Sequence, residues 1–294
     1  MTTHELHTSS GATPQRRMSG VTPRKRKPMC RLLGLMSVRP ARLSGVLPIG
    51  VKDLKTLSHE HKDGWGTAWR DAEGEVHRYR CPDPAWTDPE FARALTRRSA
   101  RQVLVHLRKA SEGLAVVESN CHPFVAGDVA FCHNGAFPVS ERLRDWAEAH
   151  GARPCEGTTD SELYFAILLV FAQTMDWPRA IEAAVRLISA DVAVDDPAAR
   201  PHALNCLVST PHALYAYSQS EPATFKPESP VDLYDLQLSA NAERVVVCST
   251  KIAVPGARRV EQFRVITVRD DLHVEIGDRL DIFGSEPAVE RSVA

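Results

Sequence analysis

From residue 30 onward the apolar positions fall into short runs separated by polar punctuation. Residues 30–38 and 64–70 read as strands, and residues 102–107 as a buried strand. Residues 128–132 form another short strand, and the Asn134-Gly135 dipeptide just after it predicts a tight turn. Apolar residues at helical spacing predict helices over 89–99, 141–150, 161–175 and 178–190. Strands follow near 203–209, 213–217, 244–249, 264–268 and 273–276. Strands come in runs with the helices grouped between them, which predicts an α+β fold with largely antiparallel sheets. There is no internal repeat and no Gly-rich phosphate loop, so nothing in the pattern points to a nucleotide site.

Residues 1–28 break this pattern. They are rich in Thr, Ser, Pro, Arg and Lys, hold almost no large apolar side chains, and are expected to be disordered. The run Arg24-Lys25-Arg26-Lys27 reads as part of a solvated tail rather than a targeting tag. Residues 1–29 are expected to be a leader or an upstream extension that the mature protein lacks. They carry six basic residues and one acid, so the body, with 30 basic and 36 acidic residues, has a net charge of −6. A mildly acidic body gives no electrostatic case for nucleic acid. At 43% hydrophobic and 25% charged the chain suits a globular protein. The densest apolar run, residues 166–172, is far shorter than the ~20 residues a membrane helix needs, so no membrane role is expected. The seven cysteines are scattered, and no apolar secretory segment precedes them. Reduced thiols in the cytoplasm are the expectation.

The candidate chemistry starts at Cys30, which directly follows Met29. A chain that begins at Cys30 carries a thiol and a free α-amine on one residue. An α-amine titrates near ~7.7–8.0 and can serve as the base that a thiol needs. Four more segments stand out: His61-Lys62-Asp63-Gly64-Trp65-Gly66, His106-Leu107-Arg108-Lys109-Ala110-Ser111, Cys132-His133-Asn134-Gly135 and Thr159-Asp160-Ser161-Glu162. Each has an ordinary structural reading. Cys30 alone reads as a small core residue. Arg108 reads as a rim charge at a strand end, and Asn134-Gly135 as a turn. Thr159 and Glu162 fit a helix capping box. His59, His61, His106, His122 and His133 with Cys121 and Cys132 could ligate a metal, but no pair has a recognised ligand spacing, so no metal is expected.

Taken in order, the segments resemble the class II glutamine amidotransferases, a family of N-terminal-nucleophile hydrolases. The resemblance implies a single type-2 glutamine amidotransferase domain over residues 30–294, folded as a four-layer αββα sandwich of antiparallel sheets. It implies a cytoplasmic enzyme that needs no cofactor. Cys30 matches the nucleophile, and Asn134 and Gly135 match the oxyanion-hole pair. Arg108 matches the residue that holds the glutamine α-carboxylate, and Asp160 the one that holds the α-ammonium. Gly64 and Trp65 resemble a flexible loop that shapes the pocket, with Gly135 expected at positive φ. His122-Pro123-Phe124 also resembles a family segment, without an assigned role. The segment after Arg108 lacks the Trp and Thr-His of synthase-fused relatives. Residues 203–294 are expected to finish the sheets, which leaves no second domain large enough for a synthase, so any ammonia-accepting enzyme is expected on a separate chain. Glutamine or a γ-glutamyl amide is the implied substrate. Two alternatives stand beside glutamine hydrolysis: a hydrolase for the γ-glutamyl amide of a small metabolite, and a non-catalytic binding relative.

Overall fold

A computed structural model describes residues 29–111, 113–222, 232 and 234–283, so the expectation for residues 1–28 lies outside the described part. Strand β1 (Arg31–Ala41) is followed by helices α1 (Leu43–Val46) and α2 (Pro48–Ser58), strands β2 (Trp65–Arg70) and β3 (Val76–Cys81), helix α3 (Pro89–Thr96) and strand β4 (Ala100–Leu107). Strands β5 (Phe124–Ala126) and β6 (Val129–Ala136) lead into helices α4 (Glu141–Ala149), α5 (Asp160–Ala172) and α6 (Trp177–Val192). The chain closes with β7 (Ala203–Ser209), β8 (Ala213–Ser218), β9 (Leu236–Ala240), β10 (Arg244–Ser249), β11 (Arg258–Arg259), β12 (Arg264–Arg269) and β13 (Val274–Ile276).

The strands form two sheets, β11-β9-β10-β1-β4-β2-β3 and β13-β12-β8-β7-β6-β5. Among the described residues every strand pairing is antiparallel. Three apolar cores define the layers. Leu32, Met36 and Leu104 of the first sheet meet Ala130, Leu207 and Leu214 of the second, between the sheets. Leu33, Leu35 and Val105 on the opposite face of the first sheet pack on Leu54, Leu57 and Phe91 of α2 and α3. Phe131, Leu204 and Val208 of the second sheet pack on Phe165, Ile181 and Ile188 of α5 and α6. Each sheet is thus covered on both faces, and the layers run αββα. That is why β1 and β10 read as unbroken apolar runs: successive side chains point to opposite faces, and both faces are dry.

The helices start where their caps lie. Asp88 accepts from Glu90 N–H ahead of Pro89 in α3, Ser140 from Leu143 N–H in α4, and Asp176 from Arg179 N–H in α6. Thr159 Oγ1 accepts from Glu162 N–H, which is half of the expected capping box. The Glu162 carboxylate reaches past the cap to Glu156 and Gly157 N–H (2.9 and 2.7 Å). It thereby fixes the loop that leads into α5.

The expected turn at Asn134-Gly135 does not form. Both residues lie inside β6, and Asn134 pairs with Asn205 and Gly135 with Leu204. The two-residue hairpin falls upstream, at Gly127-Asp128 between the paired residues Ala126 and Val129. Pairing with β7 overrides the local turn preference of the dipeptide. Helix α2 and strand β3 have no counterpart in the sequence pattern. In β3, a strand at the sheet edge, His77 and Arg78 are exposed and no apolar face marks it.

Candidate active site

Antiparallel pairing of β1 with β4 sets Arg31 opposite Leu107, so Cys30, just before β1, lies beside Arg108, just after β4. The end of β6 and the first turn of α5 approach from the other half of the sandwich. A narrow cleft, with a cavity volume of about 30 Å³, is lined by Cys30, Arg108, His122, Asn134, Gly135 and Asp160 among others. The structure therefore brings together five of the seven residues singled out in the sequence.

Cys30 is part-buried. Its Sγ receives the Lys109 N–H at 3.5 Å. Its backbone N–H donates to Asn134 Oδ1 at 3.0 Å. Only an oxygen can accept that proton, so the Asn134 Nδ2 end points elsewhere; it is buried and has no partner in the protein. Desolvation by the surrounding protein pushes the Cys30 thiol up to about 11, against the opposing pull of the Lys109 N–H and the nearby Arg108. A thiol in that state stays protonated near neutral pH, so it needs a base.

Gly135 is not at positive φ. The reason for glycine is close approach: a Cβ there would overlap the Ala203 carbonyl and press on His133 Nε2. His133 itself is held by Ser161 Oγ at Nδ1 (2.9 Å) and the Ala203 carbonyl at Nε2 (3.2 Å). Since a carbonyl only accepts, Nε2 carries the proton and Nδ1 accepts from the hydroxyl.

Two charged residues lining the cleft, Arg108 and Asp160, lack ionic partners among the described residues. Arg108 is 3% exposed and donates from Nη1 to Asp63 O and from Nη2 to Ala115 O, each at 3.1 Å. Asp160 accepts from Phe137 N–H (3.0 Å) and Ser161 N–H (2.8 Å) at the start of α5, where the helix dipole favours a carboxylate. Among the described residues neither makes a salt bridge. A buried charge is costly unless it is paired. Such a guanidinium and carboxylate on one cleft can take the two ends of a zwitterion.

Gly64 and Trp65 do not line the cleft. Trp65 is fully buried in the core between the first sheet and its helices, and its indole N–H donates to Asp88 at 3.1 Å. The segment is a strand entry, not a flexible loop. It bears on the site through the backbone: Gly64 O accepts from Arg108 N–H at 2.8 Å. A Cβ on Gly64 or on Gly66 would run into Cys121 Sγ or the His122 carbonyl. The glycines thus let the segment before β5 press onto β2 and carry His122 to the cleft.

Asp63, part of a segment that stands out in the sequence but without a role there, anchors the segment after Arg108 from both ends. Its N–H donates to Arg108 O (3.2 Å), and its carboxylate accepts from Ala110 N–H (2.9 Å). Lys109, whose backbone faces the thiol, and Met29, which is buried against Ala203 and Tyr234 at the cleft, likewise had no assigned place in the site. None of these contacts has a local sequence signal. Of the histidines, His61, His106, His122 and His133 are buried. Among the described residues no three His, Cys, Asp or Glu side chains converge as a metal site would require. No helix of the described residues is long and apolar enough to cross a membrane.

Comparison with known proteins follows the same lines. The chain is 33% identical over 156 residues to a γ-glutamyl-hercynylcysteine sulfoxide hydrolase of Mycolicibacterium smegmatis, covering 52% of this chain and 60% of that one. It is 26% identical over 161 residues to a probable glutamine amidotransferase of Saccharomyces cerevisiae, covering 48% and 45%. The chain thus spans about half the length of these curated relatives. Two solved structures share the fold. A glutamine aminotransferase class-II domain protein from Silicibacter pomeroyi gives a TM-score of 0.60 at 24% identity, over 85% of this chain and 100% of that one. The glutamine phosphoribosylpyrophosphate amidotransferase of B. subtilis gives 0.59 at 15%, over 86% and 50%. The family model for class-II glutamine amidotransferases matches residues 29–262, most of the chain. With the αββα sandwich and a cleft that gathers Cys30, Arg108, Asn134, Gly135 and Asp160, this chain belongs to the class II glutamine amidotransferases, a family of enzymes.

Proposed function

We propose that the protein hydrolyses the γ-amide of glutamine or of a γ-glutamyl compound, with Cys30 as the nucleophile of a chain that begins there. The single observation that carries this reading is the pair of unpaired charges, Arg108 and Asp160, on the cleft that holds Cys30. Arg108 takes the substrate α-carboxylate through its remaining N–H groups, and Asp160 takes the α-ammonium. The γ-amide then lies at the thiol. The free α-amine of Cys30 accepts the thiol proton as Sγ attacks the amide carbon. The oxyanion is met by Asn134 Nδ2, the orphaned donor, and by Gly135 N–H. The C–N bond breaks, the leaving nitrogen takes the proton from the α-amine, and a γ-glutamyl thioester remains on Cys30. Water gives one proton to the same amine and attacks the thioester; glutamate leaves and the thiol is restored.

The Cys30 N–H to Asn134 Oδ1 bond supports this step, because the same acceptor would orient a free amine. Met29 is buried at the cleft wall, so its removal both frees the amine and widens the site. N-terminal sequencing of the active protein, with a glutaminase assay on the same sample, tests the reading. Activity in a chain that retains Met29 sinks it.

A second reading concerns the leaving group. Arg108 and Asp160 address only the glutamyl end, and similarity to a hydrolase named for a γ-glutamyl compound favours a small-metabolite amide over glutamine. In that case amine rather than ammonia leaves, and no ammonia-accepting partner is needed. Relative kcat/KM for glutamine and for γ-glutamyl amides separates the two. Retention of residues 1–29 in the protein from cells, read by intact mass, would favour a non-catalytic binding role.

A further inference from the structure

His122 carries the least explained chemistry in the molecule. It is 4% exposed, it lines the same cleft as Cys30 and Arg108, and both of its ring nitrogens are buried without a partner in the protein. A buried imidazole left so is destabilising unless a ligand supplies the partners. Much of the local structure serves to put it there. Gly66 admits the His122 carbonyl against β2, the Asn120 carboxamide ties the preceding turn to Thr158, and the ring lies 4.2 Å, centroid to centroid, from His106 and 4.6 Å from Phe124.

The charged side chains acting on the ring are arginines. Arg108 lies along the cleft, and Arg80 donates to the neighbouring Cys121 carbonyl at 3.4 Å. Burial, then His106, His133 and these arginines, hold the imidazole well below its usual titration range, so it is neutral. A neutral ring offers one N–H donor and one acceptor. Beside arginines, the substrate group that fits the donor is an anion. Asp160 acts instead on His133, at the cleft's acidic end, away from the arginines.

We infer that His122 is a substrate-contacting residue that donates its ring N–H to the α-carboxylate of the glutamyl substrate, beside Arg108. The inference rests on the proposed amidase reading. It adds a neutral donor to the carboxylate end of the site, and the ring then tells a glutamyl end from a group that lacks the carboxylate.

The test compares wild type, His122→Phe and His122→Gln in chains that begin at Cys30. Substrates are glutamine and 4-aminobutanamide, which is glutamine without the α-carboxylate. The expected result is a rise in KM for glutamine of roughly 10- to 100-fold in His122→Phe, as for a hydrogen bond to a charged group. The kcat should hold within about threefold, His122→Gln should recover most of the loss, and 4-aminobutanamide should be nearly indifferent. Equal losses for both substrates, or a fall in kcat alone, overturn the inference and make the ring structural. Calorimetric titration of L-glutamate into the same proteins reads the contact without turnover, and weaker binding only in His122→Phe supports it. If wild type neither hydrolyses glutamine or γ-glutamyl amides nor binds glutamate, the amidase reading itself fails, which is a separate result.

Discussion

Asn134 and Cys30 are 104 positions apart in the chain, yet Asn134 Oδ1 accepts the Cys30 backbone N–H at 3.0 Å. That bond sorts the two ends of one carboxamide. The oxygen is committed to the residue that carries the thiol, so the buried Nδ2 is left as a donor for something else. One side chain thus aims the nitrogen of Cys30 and presents a proton donor to the same cleft.

Asn134→Ala should lower kcat for glutamine on the order of 10²- to 10³-fold with little change in KM, as expected for loss of an oxyanion donor. Cys30→Ala should abolish turnover and leave the melting temperature within a few degrees. Steady-state kinetics and thermal unfolding on one preparation check both. Full activity in Cys30→Ala would falsify the assignment of the nucleophile.

Reactivity of the thiol should depend on what precedes it. With Met29 in place the thiol sits at about 11 because it is desolvated, so iodoacetamide at pH 7.5 should modify Cys30 slowly. In a chain that begins at Cys30 the free amine supplies the base, and alkylation should be much faster. Mass spectrometry of the two forms reads the difference, and equal rates would remove the amine from the mechanism.

Arg108→Lys should behave as a severe substitution. The guanidinium already spends one N–H of each terminal nitrogen on Asp63 O and Ala115 O, and an ammonium cannot keep both and also grip a carboxylate. KM for glutamine should rise roughly 10- to 100-fold. Asp160→Asn should also raise KM, through loss of the charge that meets an ammonium. A kcat-only effect in either variant would place these residues outside substrate binding.

Two glycine substitutions should part company. Gly135→Ala forces a methyl into the Ala203 carbonyl and the His133 ring, which splits β6 from β7 at the site. A loss of more than about 2 kcal/mol and of activity is expected. Gly45→Ala meets nothing within 4 Å and lies in a helix, so it should be neutral or slightly stabilising. Denaturant titration distinguishes them.

Acid should destabilise this protein early. Burial holds His106 at about 3 and His61 at about 4, and lowers His122 and His133 too. In the unfolded chain these side chains take up protons near ~6.5. Below that pH the unfolded state binds more protons than the native state, so stability falls as pH falls. For His106 the window runs from about 6.5 down to about 3, and the loss per group approaches ~1.4 kcal/mol for each pH unit. Unfolding free energy between pH 7 and 4 measures this, and His106→Gln should flatten the slope. Catalysis should follow a different group, rising with pH through ~7.7–8.0 as the α-amine deprotonates.

The sequence by itself determined an α+β class with antiparallel sheets, and through its family resemblance the layering and most of the site's membership. Residues 30–38 read as a strand, and Thr159 marked the start of α5 through its own side-chain oxygen; that Leu32 to Met36 is dry on both faces, and that Asp88, Ser140 and Asp176 cap the other helices, emerged from the fold. Cys30, Arg108 and Asp160 were legible because their segments, taken in order, resemble one family, although each alone has an ordinary structural reading. What the sequence could not settle was decided by contacts between distant segments. Asn134-Gly135 reads locally as a turn, but β7 pairs with it and makes it a strand. Trp65 reads as a pocket aromatic, but the helices over the first sheet bury it. His122 gave no sign of its two orphaned nitrogens, because whether a buried nitrogen has a partner depends on what surrounds it across the fold. Local preferences are worth about a kilocalorie per mole or less. Burial and cross-strand pairing outweigh them, so residue type was readable from the chain and residue role only from the assembled sandwich.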